Sequence, residues 1–512
     1  MKFSRLTKIS ILLAGFFFLD KVFAFIRQIL IARQFGLSAE LDAFNVANNV
    51  PDLLFALISG GALAIAFIPV LSEVLIKSGQ RPAWVLFSRV ANLAFLVTVG
   101  LALIVAIFAG SLVRAEIGIA PGFSAEQQHL VIRLMRMNLA ATLIFSISGL
   151  VMAGLQANQH FLLPAMAPLF YNIGQIIGVT IFSPAEGYRL GNLTLPALGL
   201  GVEGLVYGVI LGAVLHLLIQ LPGLLKYQFK WSPSIGLSDP DVKKVLRLMG
   251  PRLVTVFFIQ LIFLIRDNLA SRLAAGAVTS LTYGWMIQQV PETLIGTAIG
   301  TALLPTLSEH FTRGEGKIFS ETINKAVKVL FAVTMPVAAA LAFGMQPLLG
   351  LAFDFGTTGT SLLTWVTAAF MLGLFGHSLK EVSARSFYAS QNAVIPLITA
   401  GGNVLLYALT GFLLFRPLGA PGIALTDSIV FTLEAVILLV LLIRTGRVTI
   451  FIGSTFVRGL AAAATAAVIT LLGLTLLEPR VHALLAGTLP MILGFSAGLL
   501  WVLPEVKTLA KL

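Results

Sequence analysis

The chain has 512 residues, of which 58% are hydrophobic and 11% are charged, with no cysteine and a formal net charge of +12. A water-soluble domain carries about 25% charged residues, so a soluble globular protein is excluded. The missing cysteines exclude disulfides, thiolate metal sites and cysteine nucleophiles. The bases are spread through short loops instead of one domain, which orients helices across a membrane and gives no nucleic-acid signal.

At the start of the chain, Lys2, Arg5 and Lys8 precede an apolar run from Ile9 to Leu19. Asp20 and Lys21 interrupt that run, no small-x-small cleavage site follows, and apolar sequence resumes through Ile31. The pattern is that of a retained first helix, not a signal peptide.

A crossing needs roughly 20 apolar residues. Candidate spans are 9–33, 43–76, 84–110, 129–156, 162–183, 197–221, 248–273, 279–305, 325–352, 361–388, 395–414, 420–444, 455–477 and 482–504. The fold class expected is an all-α integral membrane protein of about fourteen transmembrane helices. The stretch Asp239 to Arg247 (DPDVKKVLR) reads as an interfacial helix before the seventh span.

The loops set the orientation. With the N-terminus in the cytoplasm, the cytoplasmic segments hold Lys2, Arg5, Lys8, Lys77, Arg81, Lys226, Lys230, Lys243, Lys244, Arg247, Arg313, Lys317, Arg444, Arg447, Lys507 and Lys511. The opposite side holds Arg114, Arg189, Arg272, Arg416 and Arg480, with Arg33 at a helix end. This bias alternates through the whole chain and places both termini in the cytoplasm.

The chain also repeats itself. AFIPVLSE (66–73) recurs as ALLPTLSE (302–309), each preceded by a Val-Pro-acid triplet at Val50-Pro51-Asp52 and Val290-Pro291-Glu292. Ala157-Asn158-Gln159 with Pro164 recurs as Ala389-Ser390-Gln391 with Pro396, and Leu200-Gly201 as Leu418-Gly419. An even number of helices per repeat keeps both halves in one orientation, with a pseudo-twofold along the membrane normal. The expected organisation is an N-terminal lobe at 1–225, a C-terminal lobe at 226–447, and two further helices at 448–512. Two such lobes suit a transporter that opens alternately to each side. Pro51 and Pro291 interrupt helical hydrogen bonding at equivalent places, and Gly60-Gly61 adds a flexible point, so these are the hinge candidates.

Ionisable residues at bilayer depth are costly and point to function. The first span carries Asp20, Lys21 and Arg27; the seventh carries Arg266 and Asp267; the tenth carries Lys380 and the i,i+4 pair Glu381 and Arg385. In the first and seventh spans the bases Lys21, Arg27 and Arg266 outnumber the acids. A cationic cavity in so apolar a protein suits an anionic amphiphile, because Arg and Lys make charge-assisted hydrogen bonds to phosphate oxygens. The sequence contains no Walker motif and no HExxH, so neither ATP hydrolysis nor a metal-dependent enzyme is expected, and no cofactor or metal site is assigned.

Several segments resemble the MurJ/MviN family of lipid II flippases, within the multidrug/oligosaccharidyl-lipid/polysaccharide exporter superfamily. They are KVFAFIRQILIARQFG (21–36), LDAFNVANNVPDLL (41–54), APGF (120–123), LQANQHFLLPAMAPLFYN (155–172), LMGP (248–251), NLASRLAAGAVTSLTYG (268–284), GTALLPTLS (300–308) and RSFYASQNAVIP (385–396). The resemblance implies a headgroup cavity lined by the first, second, seventh and eighth helices, and a tail groove flanked by the last two. Family cavity bases correspond to Lys21 and Arg27, and a family cation site corresponds to Asn403 with Asp267 as its partner; Asp20 is a further coupling candidate. The chain departs from the pattern at Gln28, Phe55, Ala56, Gly60 and Met286, and its seventh helix reads Arg266-Asp267 where many members have the reverse order. Each absent charge-assisted contact removes on the order of 1.5–3 kcal/mol of phosphate binding.

The reading is a flippase that moves lipid II, or a related anionic polyprenyl-diphosphate lipid, across the bacterial cytoplasmic membrane. Membrane potential or a coupling cation would drive it. The lost arginines leave open export of another polyprenyl-diphosphate glycan or a drug. A non-transporting scaffold for envelope assembly and a membrane-embedded transferase compete with it from outside transport.

Overall fold

The computed structural model describes residues 5–60, 62–191, 193–446, 448–478 and 480–509. Gly61, Lys2, Arg447 and Lys511 lie outside the described residues. The chain divides into two compact units, Met1–Leu264 and Ile265–Leu512.

Helices make up almost all of both units; among the described residues eleven helical stretches are long and apolar enough to cross a membrane, broadly consistent with the fourteen expected crossings. The first unit begins with α1 (Arg5–Phe35), then α2 (Ala39–Phe55) and α3 (Ala62–Ser78), which form one crossing through the π-helical turn Ala56–Gly60. Next come α4 (Gln80–Arg114), α5 (Ala125–Ala157), α6 (Leu162–Ile177) extended by a π-turn to Phe182, and α7 (Val202–Leu218) with the short α8 (Leu221–Lys226). A two-residue hairpin, Arg189–Leu190 with Leu193–Thr194, links α6 to α7. α9 (Pro240–Ala270) is the seventh crossing, and the polar stretch expected as a separate interfacial helix is simply its first two turns.

In the second unit, α10 (Ala277–Glu292) and α11 (Ala298–Thr312) are joined by the π-turn Thr293–Thr297. α12 (Gly316–Gly344) and the short α13 (Gln346–Phe353) follow, and α14 (Gly356–Leu372) with α15 (Leu374–Ala389) makes the tenth crossing. α16 (Val394–Arg444) is two crossings in near-continuous register, broken at Gly419, where φ is 64° and ψ −145°. α17 (Gly453–Leu477) and α18 (Ala483–Trp501) complete the set, and α19 (Leu503–Leu509) lies past the last crossing.

The helix faces are arranged for lipid, not water. In α4 the buried stripe Ala94, Thr98, Ala102, Val105 and Ala109 is built of small residues, while Leu96, Leu103, Ile104, Ile107 and Phe108 are exposed. Large apolar side chains facing outward would be an aggregation surface in water; against lipid they cost nothing, and small residues let neighbouring backbones close up. The α6–α7 contact takes this furthest. A Cβ on Gly174 would sit 2.3 Å from the Gly212 Cα, and one on Gly208 would sit 2.7 Å from the Gly178 Cα.

The internal repeat is visible in backbone conformation within each unit. α5 and α15 both end with a glutamine in the left-handed region, Gln159 at φ 58° and Gln391 at φ 57°. In both, the following amide reaches back five residues, His160 to the Leu155 carbonyl and Asn392 to the Phe387 carbonyl, each at 2.9 Å. This is the Schellman arrangement, with glutamine where glycine is usual. Gly201 (φ 55°, ψ −137°), at the start of the sixth crossing, matches Gly419, at the start of the twelfth. The π-turns after Pro51 and Pro291 complete the correspondence. A π-turn carries one extra residue and frees backbone groups, so it is a natural bending point.

Candidate functional site

Three of the residues singled out by charge lie on α1, whose apolar faces leave few places for an ion. Asp20 is buried and Lys21 is exposed, its Nζ 3.5 Å from Asp20 Oδ2. Asp20 and Arg27 are seven residues apart, two turns along nearly one face. What joins them is Asn172 on α6, which packs directly on α1. The Asn172 amide Nδ2 donates to Asp20 Oδ1 at 2.8 Å, and its Oδ1 accepts from Arg27 Nη1 at 2.9 Å. An amide is suited to this bridge because it presents a donor to the carboxylate and an acceptor to the guanidinium. The result is a fixed acid–amide–base chain on one helix face, with the Lys21 ammonium held beside it.

Around this chain, α2 supplies a second acid. Asp52 is exposed and stands within electrostatic reach of Arg27. Its neighbour Pro51 is buried inside α2, and the Thr142 hydroxyl of α5 donates to the Pro51 carbonyl at 3.5 Å. Gly60 ends the π-turn that follows; Gly61, the second glycine of that hinge candidate, is among the residues not described.

In the second unit, Arg266 and Asp267 are both buried, and Arg266 Nε donates to Asp267 Oδ1 at 3.0 Å. The structure therefore gives Arg266 a carboxylate within the chain. Asn403, on the first half of α16, donates through Nδ2 to Glu434 Oε2 at 2.8 Å. The same carboxylate oxygen lies 3.3 Å from Lys380 Nζ, and that ammonium sits 4.2 Å from the centre of the Phe431 ring. Phe431 is also stacked by His377, whose Nε2 is 2.9 Å from Asp427 Oδ1. The expected i,i+4 pair forms as well, Arg385 Nη2 to Glu381 Oε2 at 2.9 Å. Pro291 is buried in α10, and the π-turn behind it fits tightly against α15: a Cβ on Gly296 would lie 2.7 Å from the Ser378 Cα.

Asn172, Glu434, His377 and Asp427 were not among the residues singled out from the sequence. Asn172 closes the APLFYN segment, and a lone amide in an apolar span was the signal available for it. Asp427 and Glu434 are acids seven apart in an otherwise apolar crossing, which is the kind of intramembrane charge that marks a buried partner.

A family model described as "Lipid II flippase MurJ" matches residues 31–495. The chain is 32% identical over 441 residues to "Lipid II flippase MurJ" of Burkholderia cenocepacia, covering 83% of this chain and 81% of that one. It is 28% identical to "Probable lipid II flippase MurJ" of Rhizobium tropici, covering 84% and 79%. Among solved structures, "Lipid II flippase MurJ, inward closed conformation" aligns with a TM-score of 0.77 at 21% identity, covering 98% of this chain and all of that one, 100%. An inward-facing multidrug resistance MATE family transporter aligns with a TM-score of 0.66 at 17% identity, covering 83% and 94%. At those identities the structural likeness carries the fold alone.

Proposed function

Because the chain belongs to the MurJ lipid II flippase family, we propose that it translocates a lipid-linked peptidoglycan precursor, lipid II, across the bacterial cytoplasmic membrane by alternating access. Residues 1–225 and 226–447 act as the two lobes, 448–512 stands outside the duplication, and both termini are cytoplasmic. The protein is a transporter with no catalytic step. The observation that carries this reading is Arg27, a base at bilayer depth held in a set orientation by Asn172.

In this reading Lys21 and Arg27 take the diphosphate, Lys21 as an exposed point charge and Arg27 as a planar donor. Asp20 offsets one of these two positive charges between transport events and leaves a net positive site for the headgroup. Arg266 is charge-compensated locally by its buried pair with Asp267, so it contributes less to the headgroup than Lys21 and Arg27 do. Pro51, Gly60 and Pro291 are the bending points among the described residues. A coupling cation would find in Asn403 Oδ1 a buried acceptor with no hydrogen-bond partner, next to the Glu434 carboxylate.

The test is rescue of a bacterium depleted of its own flippase, with outer-leaflet lipid II as the readout. Wild type is expected to restore it, and Lys21→Ala and Arg27→Ala to reduce the rate at least tenfold while still inserting in the membrane. Unimpaired rescue by both variants would support a scaffold. The departures at Phe55, Ala56 and Met286 favour a second reading, export of a different polyprenyl-diphosphate glycan. Failure of wild type to rescue, with tighter retention of that lipid than of lipid II in native mass spectrometry, would establish it.

A further inference from the structure

A large apolar opening in the first unit is unrelated to the charged chain on α1. It is a cavity of about 590 Å³ between α4 and the first half of α9, with Leu57 and Ile58 of the α2–α3 π-turn at its back. Every residue lining it is aliphatic, methionine or phenylalanine. Water needs two to four polar partners to be held in a cavity, and this lining offers none. The occupant that fits is a hydrocarbon chain.

Length and position narrow it further. The α4 side is one stripe, Val90, Ala94, Val97 and Leu101. The rise of 1.5 Å per residue from Val90 to Leu101 makes it ~16 Å long, close to the ~15 Å of a single leaflet's hydrocarbon. The α9 side runs alongside from Val242 to Phe257. At the Val90 end of the stripe the surroundings become those of a membrane interface. Trp231 is exposed, with its indole Nε1 donating to Asn92 Oδ1 at 2.9 Å, and Arg89 is ion-paired with Asp239. Tryptophan and basic residues mark the headgroup level.

Two bases there are uncommitted. Lys244 is paired with Glu73 at 2.6 Å, but Lys243 and Arg247 are exposed and make no ion pair among the described residues. They stand on the same first turns of α9 as Val242 and Leu246, which line the cavity. A leaflet-deep apolar slot with two such cations at its mouth has the polarity of an anionic phospholipid. We propose that this cavity binds one acyl chain of an anionic membrane phospholipid, with its phosphate against Lys243 and Arg247. The bound chain packs on Leu57 and Ile58 and so braces the π-turn between α2 and α3.

The experiment uses the full chain in nanodiscs of mixed phosphatidylglycerol and phosphatidylcholine, some carrying a photoactivatable acyl chain. Crosslinks are expected to concentrate in peptides covering 90–101 and 242–257, with phosphatidylglycerol retained over phosphatidylcholine in native mass spectrometry. Each of Lys243→Gln and Arg247→Gln is expected to lower that preference roughly fivefold, the value of one juxtamembrane base. Ala94→Trp and Val254→Trp fill the slot and are expected to abolish the crosslinks. Crosslinks spread evenly over the protein, equal retention of the two lipids, or capture of a polyprenyl-diphosphate lipid in those peptides would each overturn the proposal. The wild-type crosslink map decides the matter even if a tryptophan variant fails to fold.

Discussion

Replacing Asn172 with alanine removes two charged hydrogen bonds with one truncation. The amide donates to Asp20 at 2.8 Å and accepts from Arg27 at 2.9 Å. A hydrogen bond to a charged group contributes roughly 1.5–3 kcal/mol. Asp20 is buried, so its side of the bridge should lose close to the full amount; Lys21, 3.5 Å away and exposed, compensates little. Arg27 is only half-buried and recovers part of its loss from water. The expected cost is therefore about 3–4 kcal/mol, measured by denaturant unfolding of the purified protein, with a parallel loss of lipid II translocation. Asn172→Asp should be as bad or worse, because it keeps an acceptor for Arg27 but sets a second carboxylate against Asp20. In an Asp20→Asn background the same alanine change should cost less, since the buried charge is gone. A cost under about 0.5 kcal/mol, or an equal cost in both backgrounds, would refute the bridge.

Three further outcomes follow from separate parts of the fold. Gly208→Leu places a side chain where the Gly178 backbone already stands, and should destabilise the α6–α7 pair by about 1–3 kcal/mol, with the larger value favoured because the neighbour is main chain; denaturant titration reads it. Lys380→Met leaves Glu434 buried with Asn403 alone and should cost about 3–5 kcal/mol, while the double variant Lys380→Met/Glu434→Leu should recover most of it. The last concerns pH. Burial pushes the Glu505 carboxyl up, but hydrogen bonds from Thr455 and Arg458 outweigh it and hold the group below the ordinary value of 4.5. Its stabilisation of the α17–α19 contact is thus fully present above that value and lost as pH falls through the depressed one. Hydrogen exchange over 503–509 should stay protected from neutral pH to about 4.5 and open below it, and Glu505→Gln should open it at neutral pH.

The solvent, the approximate number of crossings and the repeated segments are all legible in the chain before it folds. Each rests on a one-dimensional quantity: apolar run length against bilayer thickness, base counts in alternating loops, and matched segments such as AFIPVLSE and ALLPTLSE. The bends were partly legible, because Pro51 and Pro291 announce broken hydrogen bonding, yet the π-turns that follow them were not, since a π-turn adds a residue without a composition of its own. Nor was the left-handed glutamine at Gln159 and Gln391, where side-chain type would have predicted glycine.

Which residue partners which emerges only on folding. Asp20, Lys21 and Arg27 were readable as costly charges, but the group that joins two of them lies 145 residues beyond Arg27, on α6. Asn403 was readable as a polar residue in a span, and its partner proved to be Glu434 on the second half of α16, across the break at Gly419. Arg266 was readable as a base at bilayer depth, and the fold sets its Nε against the Asp267 carboxylate. A membrane makes every ion expensive, so the sequence marks where ions are; only packing determines which of them remain available to a ligand.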